Sequence, residues 1–266
     1  MIDAINLYAK YFLFQLKIGL KNLVIHRINV IFIVIFEIIC CVNLIVFIEV
    51  IFVNISNVAG WTKNEFYILF GTYYIQAELA SCIYINGLDN FTRRIRDGTL
   101  DYYLTKPLSG QYLSMVSQIS LNKLIPLIVP FYMIIKGIGA LNLHLSIPVI
   151  AIYSILVIMG TFLKFNLVSI IMALSFWTIK IRTFFSIIFS VLGYSQYPKE
   201  IYNKPLSVIF TFIIPVILIT NPAAFFILGK EYRYLLFLLI IMSCFTFIVS
   251  RILWKKGLKN YQSVSS

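Results

Sequence analysis

Apolar positions in this chain come in long runs and do not alternate. Runs at about 30–52, 66–87, 123–141, 147–177 and 234–253 are separated by short polar stretches. A helix needs about 20 mostly apolar residues to cross a hydrocarbon layer, so each run is read as a span. A shorter run at 183–196 is read as a fifth span, making six transmembrane helices in one all-α polytopic domain over residues 1–266. Residues 4–29 differ: Lys10, Lys17, Lys21 and Arg27 interrupt them at intervals, while Leu7, Tyr11, Phe14 and Ile18 form a helical stripe. That pattern predicts an interfacial helix with its cations toward lipid headgroups. Residues 205–229 are apolar but broken by Pro215 and Asn221-Pro222. They are expected to form a re-entrant helical hairpin before the last span, with a fifth span at 206–220 as the alternative.

The most polar stretch is 90–108, NFTRRIRDGTLDYYLTKPL, set between two apolar runs. Such a loop belongs in water or against a soluble partner. The spacing predicts a helix through Ile95 that stops at Gly98 in the left-handed conformation. A second short helix then starts with Thr99 as N-cap, carries Asp101 in its first turn and ends at Lys106-Pro107. Leu100, Tyr103 and Leu104 would share one face of it, shaped to enter a groove on another protein. Read from pattern alone, a solvated loop whose arginines only set topology is equally compatible.

Composition narrows the class. Of 266 residues 61% are hydrophobic, and the mean hydropathy is +0.93, outside the range of a soluble domain. The net charge of +12 is carried beside the apolar runs, which points to membrane topology and not to nucleic acid. Lys and Arg concentrate in the first segment, in the 90–108 loop, after span four (Lys180, Arg182) and in the tail (Arg251, Lys255, Lys256, Lys259). This count places both termini and the 90–108 loop in the cytoplasm. The start lacks the pattern of a cleaved signal peptide. Cys40, Cys41, Cys82 and Cys244 lie inside apolar runs and are expected to be reduced core residues, not a disulfide frame or metal site.

No GxxxxGK[ST] phosphate loop, HExxH, CxxC or GxSxG occurs, so no ATPase, protease or hydrolase chemistry is expected from this chain. Glu37, Glu78 and Lys164 fall inside predicted spans. A charge at mid-bilayer costs about 2.5–3.5 kcal/mol on insertion scales, so each should face protein or water. Pairing with a neighbour is weighed slightly ahead of contact with a transported substrate. Glu49 and Lys123 lie near span ends, where snorkelling is expected.

Several features in order resemble a known family. Ile95-Arg96-x-Gly98-x-Leu100-Asp101-x-x-Leu104-x-Lys106-Pro107 follows span two, and Phe176-Trp177 ends span four. Tyr197-Pro198-x-x-Ile201-Tyr202 precedes the stretch with Pro215 and Asn221-Pro222-Ala223, and the tail reads Trp254-Lys255-Lys256-Gly257-Leu258-Lys259-x-Tyr261-x-Ser263. Together these are similar to the membrane (permease) subunit of a type-2 ATP-binding-cassette exporter, in the bacterial six-span branch with a separately encoded ATPase. The resemblance implies a cytoplasmic ABC ATPase dimer as partner, a second permease subunit of the same or a related chain, and the bacterial cytoplasmic membrane as location. It implies that ATP and Mg are bound by the ATPase, with no cofactor in this chain. It also implies a coupling helix drawn from Arg93, Arg96, Gly98, Leu100, Asp101, Tyr103, Leu104 and Pro107. A non-transporting scaffold or sensor subunit that uses the same docking loop is the alternative. A secondary transporter ranks last, because no internal repeat is visible.

Overall fold

The computed structural model describes residues 2–177 and 181–261, and among them every regular element is a helix. Helix α1 (Ile2–Ile25) meets α2 (Arg27–Asn54) at an elbow formed by His26, whose backbone leaves the helical region. Little of α2 is buried; Cys41 and Ile48 are its buried positions. Helix α3 (Lys63–Ala80) opens on a capping box, with the Thr62 N–H donating to Glu65 Oε2 at 2.8 Å. It runs without interruption through a π turn, Ser81–Ile85, into α4 (Asn86–Arg96). The second apolar run is therefore one 34-residue helix that carries its last turns well past residue 87.

The π turn has a visible cause. A π turn leaves backbone carbonyls without their usual i+4 partner, and here the Cys82 carbonyl accepts from the Ser120 N–H at 2.9 Å. Beside it the chain comes close: a Cβ on Gly87 would lie 2.1 Å from the Met115 carbonyl oxygen. After α5 (Asp101–Leu104) and α6 (Gly110–Val116), the third span begins as a 3-10 turn at Leu121–Leu127 that contains Pro126, and continues as α7 (Ile128–Ala140). The fourth is α8 (Ile147–Ala173), extended by a 3-10 turn to Phe176. The last is α12 (Arg233–Asn260).

Between α8 and α12 the sequence expectation needs correction. Helix α9 (Ile181–Gly193) has 13 residues. At 1.5 Å per residue these described residues cover about 20 Å, against a hydrocarbon layer of roughly 30 Å, so α9 is not among the described helices long enough to span. Helix α10 (Lys204–Val208) and the π turn Ile209–Ile213 then meet α11 (Ile217–Ile227) at 101°. Among the described residues five helices are long and apolar enough to span, or six if this bent pair counts as one. The break at 214–216 lies where the re-entrant stretch was expected, and the buried side chains of α11 show what protects it.

Polar groups hold α11 against α3 and α8. The Gln76 amide, fully buried, donates to the Ile219 carbonyl at 2.8 Å and accepts from Thr220 Oγ1 at 2.9 Å. The Asn221 side chain accepts from the Lys199 N–H at 2.9 Å and donates to the Tyr197 carbonyl at 3.2 Å, so the Asn-Pro pair anchors the preceding loop. Two cysteine expectations also change: Cys41 and Cys82 are buried, but Cys40 and Cys244 are exposed on the apolar outer surface. Lys180 and Ser263 lie outside the described residues.

Candidate functional site

The stretch that stood out in the sequence folds into a knot at one end of the bundle. Helix α4 ends as its sequence suggests: the Asp97 N–H still bonds to the Arg93 carbonyl at 2.8 Å, and Gly98 takes a φ of +67°. A side chain there would crowd the backbone, so glycine makes the reversal possible. The Leu100 N–H then reaches back to the Arg94 carbonyl at 3.2 Å. Thr99 is not the cap of the next helix. It lies in the turn, and Leu100, with helical backbone and no capping side chain, occupies the cap position. The turn is closed by main chain alone, which removes the need for a side-chain acceptor at Thr99.

Arg94 organises the knot from inside. Its side chain is 6% exposed. Nη1 donates to the Ser114 carbonyl at 2.9 Å, Nη2 donates to Ser117 Oγ at 2.8 Å, and the guanidinium lies 4.4 Å from the centroid of the Tyr103 ring. One residue thus joins α4, α5 and α6. The two neighbouring arginines face out: Arg93 bonds to Asn90, and Arg96 pairs with Asp97 at 3.0 Å on the surface.

Leu100, Tyr103 and Leu104 do share a face of α5, but it is turned toward this chain's own core. Leu100 is fully buried, and Leu104 packs on Gly110, where a Cβ would meet its Cδ2 at 2.7 Å. Leu100 therefore cannot fill a groove on a partner without unfolding the knot. The face left outside is Tyr102, 63% exposed, with Thr105, Lys106 and Pro107. Lys106 Nζ stands 4.2 Å from the Tyr102 ring centroid. Asp101 sits in the first turn of α5 and lies beside the Tyr261 hydroxyl, close to the C-terminal end of α12.

Three further elements grip this loop. From α12, Arg251 Nη1 donates to Ser109 Oγ at 3.1 Å and to Gln111 Oε1 at 2.9 Å, while Gln111 donates to Ser250 at 2.9 Å. Trp254 is buried against Phe91 of α4 and Phe176 at the end of α8, with ring centroids 5.0 and 5.3 Å apart. A Cβ on Gly257 would meet Phe176 Cδ2 at 2.2 Å, so only glycine lets α12 close on that ring. From α1, the Tyr8 hydroxyl accepts from the Ser109 N–H at 3.1 Å, and the Tyr112 hydroxyl donates to the Tyr8 carbonyl at the same distance. Burial, reinforced by Tyr11 and Tyr8, raises the Tyr112 hydroxyl above its ordinary value and keeps it a donor at neutral pH.

Between α1 and this loop lies a cleft of about 490 Å³. Leu7, Tyr11 and Phe14 form one wall, Tyr102, Tyr103 and Pro107 the other, and Lys10 and Lys106 stand in its lining. An aromatic slot with cations at its edge suits an apolar segment flanked by acids. Lys10, Arg94 and Trp254 carry much of this geometry, and sequence reading assigned none of them a role here. For Trp254 the signal was its place in the tail pattern; for Arg94 nothing separated it from Arg93 and Arg96.

The intramembrane charges form a separate group. Glu37 of α2 pairs with Lys123, as pairing predicts. Glu78 of α3 lies within electrostatic reach of Glu37, Lys123 and Lys164, and Lys164 is buried with its Nζ 5.6 Å from the Tyr73 ring centroid. Glu49 is held by Tyr67, Lys63 and Lys136 at 2.6, 3.0 and 3.1 Å, an anchored carboxylate where a snorkelling one was expected. The opposite end of the bundle has its own clasp: Trp61 donates to Glu200 at 2.9 Å under the ammonium of Lys230, which pairs with Glu65 at 3.0 Å.

Neither the curated proteins nor the solved structures contain a match to this chain. A family profile described as ABC-2 family transporter protein matches residues 38–265, a stretch that includes the whole knot, the bent α10–α11 pair and the last span. A polytopic all-α chain matched over that extent belongs to the ABC-2 transporter family and is a membrane component of an ABC transporter.

Proposed function

We propose that this chain is the membrane subunit of an ATP-driven exporter and that the 97–108 loop couples it to a separate cytoplasmic ABC ATPase dimer. The permease pairs with a second copy or a related chain. ATP and Mg are bound by the ATPase. The observation that carries this reading is the bracing of α5. An exposed helix that only set topology would not need a buried arginine, an aromatic cluster and three other helices behind it. Force applied at Tyr102 or Lys106 passes through Tyr103 to Arg94 and α4, and through Ser109 and Gln111 to Arg251 and α12. Both receiving helices belong to membrane-crossing stretches. The cleft between α1 and the loop is the seat for the ATPase. Lys10 and Lys106 are its cations, Arg93 and Arg96 add positive charge on the exposed surface of α4, Gly98 and Asp101 set the angle of α5, and Pro107 closes the loop.

The loop end of the bundle faces the cytoplasm of a bacterial cell, with both termini on that side. Tyr8, Ser109 and Arg251 meet at this end, and the positive residues gather there. The test has two parts. Thr99→Cys, in a background freed of the native cysteines, should react with an impermeant thiol reagent only in opened cells. The ATPase encoded with this chain should co-purify with wild type and be lost from Tyr102→Ala/Lys106→Ala at matched membrane expression. Labelling of Thr99→Cys in intact cells, or full retention of the ATPase by the double variant, overturns the reading.

A further inference from the structure

Helix α2 is tied to the bundle along one side. Glu37 pairs with Lys123, Glu49 is held by Tyr67, Lys63 and Lys136, and Cys41 and Ile48 are buried. At 100° per residue, Cys41 and Ile48 fall about 160° and 140° around the helix from Asn43. Asn43 is thus on the far side, exposed, and midway in the chain between the two carboxylates. Its carboxamide makes no hydrogen bond among the described residues. Two hydroxyls that are also exposed on the outer surface are satisfied within their own helices: Ser154 of α8 and Ser190 of α9 donate to the carbonyl four residues back, at 2.8 and 2.9 Å.

Asn43 also lies on a regular seam. Phe32, Phe36, Ile39, Asn43, Val46 and Val50 follow one another at steps of four, three, four, three and four residues, which keeps them on one stripe of the helix. The five apolar members are each at least half exposed. At this spacing two helices pack side chains into facing holes, and a lone asparagine in such a seam fixes the register of the pair. Acyl chains offer nothing to a carboxamide within the span. A carboxamide both donates and accepts, so two of them can satisfy one another. Copies of one chain share one topology. A twofold axis along the membrane normal therefore brings their α2 helices together in parallel, with both Asn43 side chains at the same depth.

We propose that α2 packs on α2 of a second copy along this seam, with the two Asn43 carboxamides bonded across the twofold axis. The proposal rests on the reading that the permease pairs with a copy of itself, and adds which face does so.

The first experiment places single cysteines in a background freed of the native ones and oxidises cell membranes that hold the full chain. Ile39→Cys, Asn43→Cys and Val46→Cys should give a product of twice the chain mass. Ile31→Cys and Ile38→Cys, also exposed but about 120° and 140° around the helix from Asn43, should not. The second measures dimer dissociation of the purified full chain in detergent by native mass spectrometry. Asn43→Leu should raise the dissociation constant about three- to tenfold, the value of one hydrogen bond between helices in a membrane. Asn43→Gln, which keeps the amide, should recover most of that. A dimer by mass with no seam cross-link puts the pairing on another face and overturns this proposal alone. A monomer at every concentration overturns the pairing as well. Cross-linking at seam and control positions alike means random collision and overturns the seam. So does a cross-linked product of any other mass, or a dissociation constant left unchanged by Asn43→Leu.

Discussion

The guanidinium of Arg94 lies 4.4 Å from the ring of Tyr103, on the far side of the turn made by Gly98. The helix that leaves the membrane and the short helix it presents outside are thus held face to face by one buried cation. The same cation is tied to Ser114 and Ser117 of the following segment.

Replacing Arg94 should therefore loosen α5 without touching its outer surface. Hydrogen bonds to a charged group contribute about 1.5–3 kcal/mol each, and losing the donor leaves the buried Ser114 carbonyl with the Ser117 hydroxyl as its remaining side-chain donor. Arg94→Ala should lower the thermal unfolding temperature of the purified permease and open the 97–108 loop to protease. Arg94→Lys should recover only part of this, since one ammonium cannot reproduce the fork to Ser114 and Ser117. Protease resistance equal to wild type in Arg94→Ala would remove Arg94 from its organising place.

Tyr102 and Leu100 should separate docking from folding. Tyr102 is exposed, so Tyr102→Ala should leave permease stability nearly unchanged while weakening ATPase binding by about 2 kcal/mol, roughly thirtyfold. Leu100 is fully buried, so Leu100→Ala should destabilise the permease itself by about 2–5 kcal/mol. Thermal unfolding and ATPase affinity, read on both variants, decide. If Leu100→Ala unfolds like wild type and still loses the ATPase, α5 presents the opposite face to its partner.

Run length and charge placement carried most of the fold. The α1 elbow, the long α3–α4 helix, the glycine stop at 98 and the break near 215 all follow from local features, because hydrocarbon thickness and backbone conformation act locally. What the sequence could not show was direction. Three arginines within four positions look alike in a string, yet only Arg94 turns inward, since α6 places the Ser114 carbonyl opposite it. The face of α5 is the same problem: periodicity groups Leu100, Tyr103 and Leu104, but the core they join includes Trp254, far along the chain. The run at 183–196 reads as a span because it is apolar, although α9 is short; that its neighbours fold into a pair bent by 101° depends on burial by α3 and α8.

Gly98 offers a test of backbone conformation alone. At a φ of +67°, valine would carry the penalty of the left-handed region, about 1–2 kcal/mol, with β-branching adding to it. Asparagine tolerates that region. Gly98→Val should reduce ATPase co-purification and loop protection, and Gly98→Asn should keep most of both. Equal behaviour of the two would mean that the turn's conformation does not matter for docking.

Two glycines in the spans should respond in opposite directions. At Gly160 of α8 a Cβ would fall 2.0 Å from the Ile219 carbonyl oxygen and 2.3 Å from the Gln76 amide nitrogen. That is where α11, the inner arm of the bent pair, lies directly on α8. Neither obstacle is the free end of a flexible chain: one is backbone, and the other is held by its bonds to Ile219 and Thr220. Gly160→Ala must push α11 away and should cost about 1–3 kcal/mol. At Gly139 of α7 nothing lies within 4 Å of the same position. Gly139→Ala adds only helix propensity, and the gain from that is up to about 1 kcal/mol. Thermal unfolding of both variants in one detergent should move the two midpoints in opposite directions from wild type. An unchanged midpoint for Gly160→Ala would show that α11 is not seated against α8, and with it the buried support for the break at 214–216 would fall.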